Sequence, residues 1–226
     1  MPTSRLLLLA LVVFLPGRAT AQESPKLPRV LIIGDSISLG YTEGVRKNLA
    51  GIAEVSRPKT NCQHTAFGLQ NIDTWLGTGK WDVIHFNWGI WDTHMLDDKG
   101  GLIRNESQFP GAMRIRHTPE QYRKNLTRLV DRMAATGATL VWASTTPVMS
   151  RTGKRFEDVK TLNTVAADLM KERKIATDDL YEFTLPHVKE WHTGDKVHFN
   201  AKGNENLAKQ VSQSIQAALK ARSTGK

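Results

Sequence analysis

Short apolar runs alternate with segments of helical periodicity between residues 30 and 221 of this chain. The apolar runs have the length of buried strands, and the segments between them repeat apolar residues every three or four positions. Strands that alternate with helices pair in parallel, and the helices then cover both faces of the sheet. The pattern predicts an α/β protein, a three-layer α/β/α sandwich built on a parallel five-stranded sheet.

The predicted elements follow from this pattern and from local start and stop signals. Strands are predicted at Val30–Ile33, Ala53–Ser56, Val83–Asn87, Thr139–Ser144 and Ile175–Leu180. Helices are predicted at Glu43–Leu49, at residues 69–76, from Thr118 to about Ala135, at Asp158–Lys174 and at Asn204–Ala221. The third of these begins with Thr, Pro and a Gln three residues after the Thr, which is typical of a capping box.

The segment Thr93–His117 has no periodicity, and its Gly and Pro residues predict a long loop. A loop of this length in a compact domain is typically functional or disordered. Because it follows a predicted strand directly, we expect it to border any site at the end of the sheet.

The amino terminus has the pattern of an export signal. Arg5 precedes the apolar run Leu6–Leu15, and Ala19-Thr20-Ala21 has the small-x-small form of a cleavage site. The apolar run is too short to span a bilayer. We therefore expect residues 1–21 to be a signal peptide, residues 22–226 to form a single domain, and the mature protein to be secreted or periplasmic without stable membrane insertion.

Composition restricts the partners and the covalent chemistry. The single cysteine, Cys62, excludes an internal disulfide. The formal charge is +9, but 22 acidic residues are interspersed with the 31 basic ones, and no basic run or nucleic-acid motif occurs. We expect a solvated basic surface and no nucleic-acid partner.

Two short motifs at opposite ends of the chain carry the chemistry. Ser36 follows the first predicted strand, and Asp195 and His198 precede the last predicted helix. An acid three residues before a histidine can hold its Nδ1, which leaves Nε2 to take a proton from a serine hydroxyl. A serine between a strand and a helix is also typical of an N-cap residue. In the same way, Asp195 and His198 stand where residues that cap the last predicted helix would stand. Taken together, the three residues predict Ser36 as nucleophile, His198 as base and Asp195 as the residue that orients the base.

These motifs resemble the first and last sequence blocks of the SGNH (GDSL) hydrolases. The first block is Val30-Leu31-Ile32-Ile33-Gly34-Asp35-Ser36-Ile37-Ser38, and the last is Asp195-Lys196-Val197-His198-Phe199-Asn200. The resemblance implies a flavodoxin-like SGNH-hydrolase fold and a serine esterase without a metal or organic cofactor. Its substrate would be a small-molecule or polysaccharide ester.

The sequence departs from that family where the oxyanion donors are expected. The family uses the Ser amide, a Gly amide and an Asn side chain, but here Trp91 stands where the Asn would be. We therefore predict an oxyanion hole made of the Ser36 and Cys62 backbone N–H groups and the Asn87 side chain. The Asn61 side chain is an alternative donor.

Trp88 and Trp91 lie beside the predicted site and are predicted to bind substrate, because flat apolar faces suit a sugar ring. No recognised ligand spacing links His64, His85, His94 and Asp92, so no metal site is predicted. The function predicted is removal of acetyl groups from carbohydrate esters. The alternatives are a lipid, lysophospholipid or aryl ester substrate, or a catalytically weak carbohydrate-binding protein with the same fold.

Overall fold

The structure is a computed structural model, which describes residues 26–103, 109–149 and 154–224. The predicted signal peptide lies outside these residues. The described strands are β1 (Arg29–Ile33), β2 (Glu54–Ser56), β3 (Val83–Phe86), β4 (Met95–Leu96), β5 (Arg114–Ile115), β6 (Thr139–Ala143) and β7 (Ala176–Asp178). The described α-helices are α1 (Ser36–Asn48), α2 (Thr65–Leu76), α3 (Pro119–Ala134), α4 (Lys154–Glu172), α5 (Leu180–Thr184), α6 (Val188–Trp191) and α7 (Ala201–Thr224).

Five of the strands form one parallel sheet in the order β2-β1-β3-β6-β7. Side chains alternate between its faces, as the twofold repeat of a strand requires. Val30 and Ile32 of β1 belong to the apolar core beneath α1 and α7. Leu31 and Ile33 belong to the core beneath α2, α3 and α4. The predicted three-layer α/β fold is therefore confirmed.

The sheet has a switch point between β1 and β3. The connection from β1 to β2 passes through α1 on one face of the sheet, and the connection from β2 to β3 passes through α2 on the other face. The helices linked to the neighbouring strands β1 and β3 therefore lie on opposite faces. In open α/β sheets, ligands bind beyond the carboxyl ends of the strands at such a point. Ser36 and Asn87 each follow one of these two strands.

The helix starts show where the sequence pattern was accurate and where it was not. Thr118 and Gln121 form the predicted capping box at the start of α3. In contrast, α1 begins at Ser36, seven residues before the predicted Glu43, because Asp35 caps it. The segment Thr93–His117 also contains the antiparallel pair β4–β5, whose strands of two residues each are too short to leave a periodic pattern.

In the described part of the chain, no helix is both long and apolar enough to cross a membrane.

Candidate active site

Ser36 is the first residue of α1, just beyond the carboxyl end of β1. Asp35 caps the helix, since its Oδ1 accepts a hydrogen bond of 2.9 Å from the Ile37 N–H. Burial raises the pKa of the Asp35 carboxyl, although this hydrogen bond and the charges of His198 and Arg57 oppose the shift. The cap fixes the turn that presents Ser36 at the edge of the sheet.

The turn before Ser36 packs closely against α1 and against Arg57. A Cβ on Gly34 would lie 2.9 Å from both Cβ and Oγ of Ser38, so no larger residue fits there without displacing α1. The Arg57 guanidinium donates to the Gly34 carbonyl at 3.2 Å and to Ser38 Oγ at 3.3 Å. Arg57 therefore ties the segment after β2 to the turn that carries Ser36.

Asp195 and His198 lie in a tight turn between α6 and α7. Asp195 Oδ1 accepts the N–H groups of Val197 and His198, each at 2.9 Å, and the Thr193 hydroxyl at 2.8 Å. Between them, Lys196 adopts a positive φ of 61°. These bonds leave Oδ2 of Asp195 facing the histidine ring, and His198 Nδ1 lies 2.6 Å from it.

Ser36, His198 and Asp195 form a continuous chain of hydrogen bonds. His198 Nε2 lies 2.8 Å from Ser36 Oγ, on the side of the ring opposite Asp195. Partial burial would raise the pKa of Asp195, but the hydrogen bonds from His198, Val197 and Thr193 outweigh it and hold the pKa below its usual range. An ionised Asp195 requires the proton on His198 Nδ1, which leaves the Nε2 lone pair for the serine proton.

Two of the predicted oxyanion donors are already in use, and this prediction requires correction. The Asn87 side-chain amide donates to the Ala143 carbonyl at 2.8 Å and to Thr145 Oγ1 at 3.0 Å, which occupies both of its N–H groups. The Cys62 N–H donates to the Gly34 carbonyl at 3.2 Å. Asn87 therefore fastens the end of β3 to β6, and Cys62 fastens its loop to the end of β1.

The Ser36 N–H and the Asn61 side chain remain as candidate donors. The Ser36 N–H stands at the first position of α1, where a helix offers no acceptor of its own. Asn61 Oδ1 accepts the Gln63 N–H at 2.9 Å, so the Asn61 Nδ2 group points elsewhere. The Cys62 thiol is buried, which raises its pKa to about 11 and makes it a poor nucleophile at neutral pH.

The two predicted substrate-binding tryptophans occupy different environments. Trp88 is only 1% exposed, and its indole N–H donates to the Cys62 carbonyl at 3.2 Å. Its ring packs so closely on Gly68 that a Cβ there would lie 2.9 Å away. The interpretation of Trp88 as a sugar-stacking residue is therefore wrong, because its faces are covered by the core. Trp91 is partly exposed and retains a surface that a ligand could contact.

A second acid–histidine pair lies at the same end of the sheet, and the sequence analysis missed it. His117 Nδ1 lies 2.6 Å from Oδ1 of the fully buried Asp92. The His64 ring lies beside it, with a distance of 5.3 Å between the ring centroids. Asp92 and His117 are 25 residues apart at the two ends of the long loop, so no short-range spacing could indicate that they meet.

Of the other two histidines considered as metal ligands, His94 lies beside Trp91, with 4.9 Å between the ring centroids, and His85 is a core residue. His85 lies inside β3, and its Nε2 is 3.0 Å from Oδ2 of the buried Asp178. Among residues 26–103, 109–149 and 154–224, no group of three His, Cys, Asp or Glu side chains is arranged to hold a metal ion.

Two exposed apolar side chains lie near the Ser36–His198–Asp195 chain. Leu39, one helical turn after Ser36, is 46% exposed. Met149 is 42% exposed, and its N–H donates to the Lys196 carbonyl at 3.0 Å, next to Asp195. Exposed apolar side chains therefore lie on the helical turn that follows Ser36 and on the segment bonded to the Asp195 turn.

Comparison with solved structures identifies the fold. No family model matches the chain, and no curated protein matches its sequence. A lipase/acylhydrolase from Enterococcus faecalis matches with a TM-score of 0.66 and 20% identity, over 84% of this chain and 96% of that one. An acetyl xylan esterase matches with a TM-score of 0.66 and 14% identity, over 83% of this chain and 99% of that one. A GDSL-like lipase from Bacteroides thetaiotaomicron matches with a TM-score of 0.59 and 16% identity, over 84% and 88% of the two chains. The chain has the SGNH-hydrolase fold.

Within the SGNH-hydrolase fold, the two sequence blocks named above lie where the resemblance implies. The first block comprises β1 and the start of α1, and the last block comprises the turn before α7. The parallel sheet brings them together across 162 residues of sequence, as the contact between His198 and Ser36 shows.

Proposed function

We propose that this protein is an exported serine esterase that removes acetyl groups from carbohydrate. One observation carries the proposal: Ser36 Oγ, both ring nitrogens of His198 and the Asp195 carboxylate form one hydrogen-bonded series at the switch point of the sheet. A serine oriented in this way by a histidine and an acid is the arrangement of an activated nucleophile.

The reaction follows from the positions of the protons. His198 Nε2 takes the proton of Ser36 Oγ while this oxygen attacks the acyl carbonyl, and Asp195 stabilises the resulting imidazolium. The negative charge on the carbonyl oxygen is stabilised by the Ser36 N–H and by Nδ2 of Asn61. His198 then gives its proton to the departing alcohol, which leaves an acyl group on Ser36.

Water completes the cycle by the same route. His198 Nε2 removes a proton from a water molecule, whose oxygen attacks the acyl-serine carbonyl, and the proton then returns to Ser36 Oγ. The carboxylic acid leaves, and every residue regains its starting protonation state.

Three observations support an acetylated sugar as substrate. Trp91, an aromatic residue in the loop after β3, is partly exposed. One protein with the same fold is an acetyl xylan esterase. The amino-terminal sequence has the features of an export signal, which would place the enzyme where polysaccharide is found.

A lipid or aryl ester is the second candidate, because Leu39 and Met149 are exposed beside the nucleophile and could contact an apolar acyl chain. Burying a methylene group is worth about 0.8 kcal/mol, so an acyl-binding surface would favour longer chains by severalfold for each added carbon.

The experiment compares purified wild-type protein and Ser36→Ala on acetylated xylan and on 4-nitrophenyl esters of two to eight carbons. We expect acetate release from xylan, preference for the acetyl ester in the series, and no activity in Ser36→Ala. A rise in kcat/KM with chain length would favour the lipid reading. Equal activity of the wild type and Ser36→Ala would contradict both candidate functions, because each requires Ser36 as the nucleophile.

A further inference from the structure

The second acid–histidine pair has the same internal arrangement as the first but contains no serine. The Asp92 carboxylate is fully buried and accepts the Thr65 N–H at 3.1 Å and the Thr65 hydroxyl at 2.6 Å. The Thr65 hydroxyl in turn accepts a hydrogen bond of 3.1 Å from Asn125, so its own proton is directed at Asp92. The carboxylate therefore acts only as an acceptor towards its neighbours.

This environment determines the role of each His117 nitrogen. Because Asp92 only accepts, His117 Nδ1 must donate the hydrogen bond of 2.6 Å that joins them. In the neutral ring, Nε2 then carries a lone pair and is an acceptor. The His117 side chain is 14% exposed, and because Nδ1 faces the buried acid, Nε2 lies on the side of the ring that faces away from Asp92.

His64 has the opposite polarity. It caps α2, and its Nδ1 accepts the Phe67 N–H at 3.2 Å, so in the neutral ring the proton is on Nε2. Burial, with a smaller contribution from Arg116, lowers the pKa of His64 to about 4, which keeps the ring neutral at pH 7. His64 Nε2 is therefore a donor beside the His117 acceptor.

The two histidines lie on segments that border the candidate active site. His64 follows Cys62 by two residues, and the Cys62 N–H donates a hydrogen bond to the carbonyl of Gly34, two residues before Ser36.

Trp91 directly precedes Asp92, and its ring centroid lies 5.9 Å from the guanidinium of Arg116, the residue before His117. Trp91, His64 and His117, here called the aromatic wall, thus combine one apolar face with one donor and one acceptor.

We propose that the aromatic wall binds the sugar unit that carries the ester, with His64 Nε2–H donating to sugar hydroxyl oxygens and His117 Nε2 accepting from sugar hydroxyl groups. A hydroxyl both donates and accepts, so a neighbouring acceptor and donor match it or a vicinal pair. Trp91 covers an apolar face of the ring. This inference rests on the proposed function and assigns the side of the cleft that holds the alcohol part of the substrate.

The bond between Asp92 and His117 also joins the two ends of the long loop, so the variants must preserve it. In His117→Asn, the side-chain amide can replace Nδ1–H towards Asp92 but has no counterpart of Nε2. In His64→Asn, the side-chain oxygen can still cap the Phe67 N–H, since Asn is a preferred N-cap, but the Nε2–H donor is lost. Each variant keeps the hydrogen bond that the histidine makes within the protein and removes the nitrogen assigned to the sugar together with the rest of the ring.

The measured quantity is the ratio of kcat/KM for an acetylated xylo-oligosaccharide to kcat/KM for 4-nitrophenyl acetate. We expect each variant to lower this ratio tenfold or more, because remote binding energy is lost only for the substrate that has a sugar. His187→Asn, which changes a histidine stacked on Trp191 outside the aromatic wall, should leave the ratio unchanged. An unchanged ratio in His64→Asn or His117→Asn, or equal losses on both substrates, overturns the inference.

A binding measurement separates this inference from the proposed function. In the Ser36→Ala background, calorimetry with the same oligosaccharide should show Kd raised tenfold or more by each His→Asn change. If the wild-type protein hydrolyses no ester, the proposed function fails, while this measurement still supports or overturns sugar binding by the aromatic wall.

Discussion

The substitution Asp195→Asn tests whether the orientation of His198 is the source of the proposed activity. Asp195 Oδ1 accepts two backbone N–H groups and the Thr193 hydroxyl, so the asparagine oxygen must occupy that position. The asparagine NH₂ then faces His198 Nδ1 as a donor and requires Nδ1 to be the acceptor. The proton moves to Nε2, which can no longer take the proton of Ser36.

The size of the effect depends on how much water can relieve the mismatch. A wrong histidine tautomer in a buried triad lowers kcat by about 10⁴-fold, or about 5.4 kcal/mol of transition-state free energy. Here the side chains of His198 and Asp195 are 44% and 42% exposed. Water can therefore solvate the productive tautomer of His198, which carries its proton on Nδ1, and reduce the cost of the mismatch. We therefore expect a loss in kcat of about 10²- to 10⁴-fold, equivalent to about 2.7 to 5.4 kcal/mol.

The assay is the turnover of 4-nitrophenyl acetate at neutral pH, measured together with the melting temperature. The three bonds to the retained oxygen should keep the turn and the melting temperature close to those of the wild type. Asp195→Ala, which removes both oxygens, is the matched comparison and should lower the melting temperature as well. A fold of normal stability with less than a tenfold loss of kcat in Asp195→Asn would refute the role of Asp195 as the residue that orients His198.

The other predictions address the nucleophile, the oxyanion donors and the acid side of stability. Ser36→Ala and His198→Ala should each remove nearly all esterase activity, and the double variant should lose little more, because residues that act as a unit are non-additive; additive losses in kcat would contradict this. Asn87→Ala should lower stability by about 1–3 kcal/mol by leaving two acceptors at the end of β6 unpaired, with a smaller effect on kcat; a hundredfold loss of kcat at unchanged melting temperature would restore its oxyanion role. Asn61→Asp keeps the turn bond of Oδ1 but replaces the donor with a negative charge, so kcat should fall by about 10²-fold or more, and a normal kcat would exclude Asn61 from the oxyanion hole. His64 has a folded pKa of about 4 against 6.5 for the free side chain, so the unfolded chain binds the extra proton and stability falls as the pH decreases from about 6.5 to about 4; this fall should be smaller in His64→Asn when melting temperatures are compared across that range.

The fold could be predicted from sequence because its elements are specified locally. The three central strands, β1, β3 and β6, are short and mostly apolar runs, and Thr118 and Gln121 mark the start of α3 with a capping box. The errors occurred where a local signal was weak. The start of α1 depends on Asp35, whose capping role is hidden within a motif that also indicates catalysis. The strands β4 and β5 are two residues long, and only their pairing with each other defines them.

The Ser36, His198 and Asp195 positions could be inferred for a related reason. Asp195 and His198 share one turn, so the hydrogen bond between them is a local property of the sequence. Ser36 follows the first strand, and a parallel sheet brings all such positions to one edge. Only the final contact between His198 and Ser36 is long-range, and the topology of the sheet provides it.

The donors and the substrate surface could not be inferred, because their roles depend on which groups their neighbours leave unpaired. Asn87 is an amide at the right end of the right strand, yet both of its N–H groups are taken by acceptors more than fifty residues away, on the last residue of β6 and on Thr145 just after it. Trp88 and Trp91 are three residues apart in sequence, but one lies in the core and the other is partly exposed. His117 acquires a defined acceptor atom only because Asp92 is held by Thr65, which is held by Asn125. A residue type at the edge of the sheet therefore indicates a chemical capacity, and the long-range hydrogen bonds determine whether that capacity is available to a substrate.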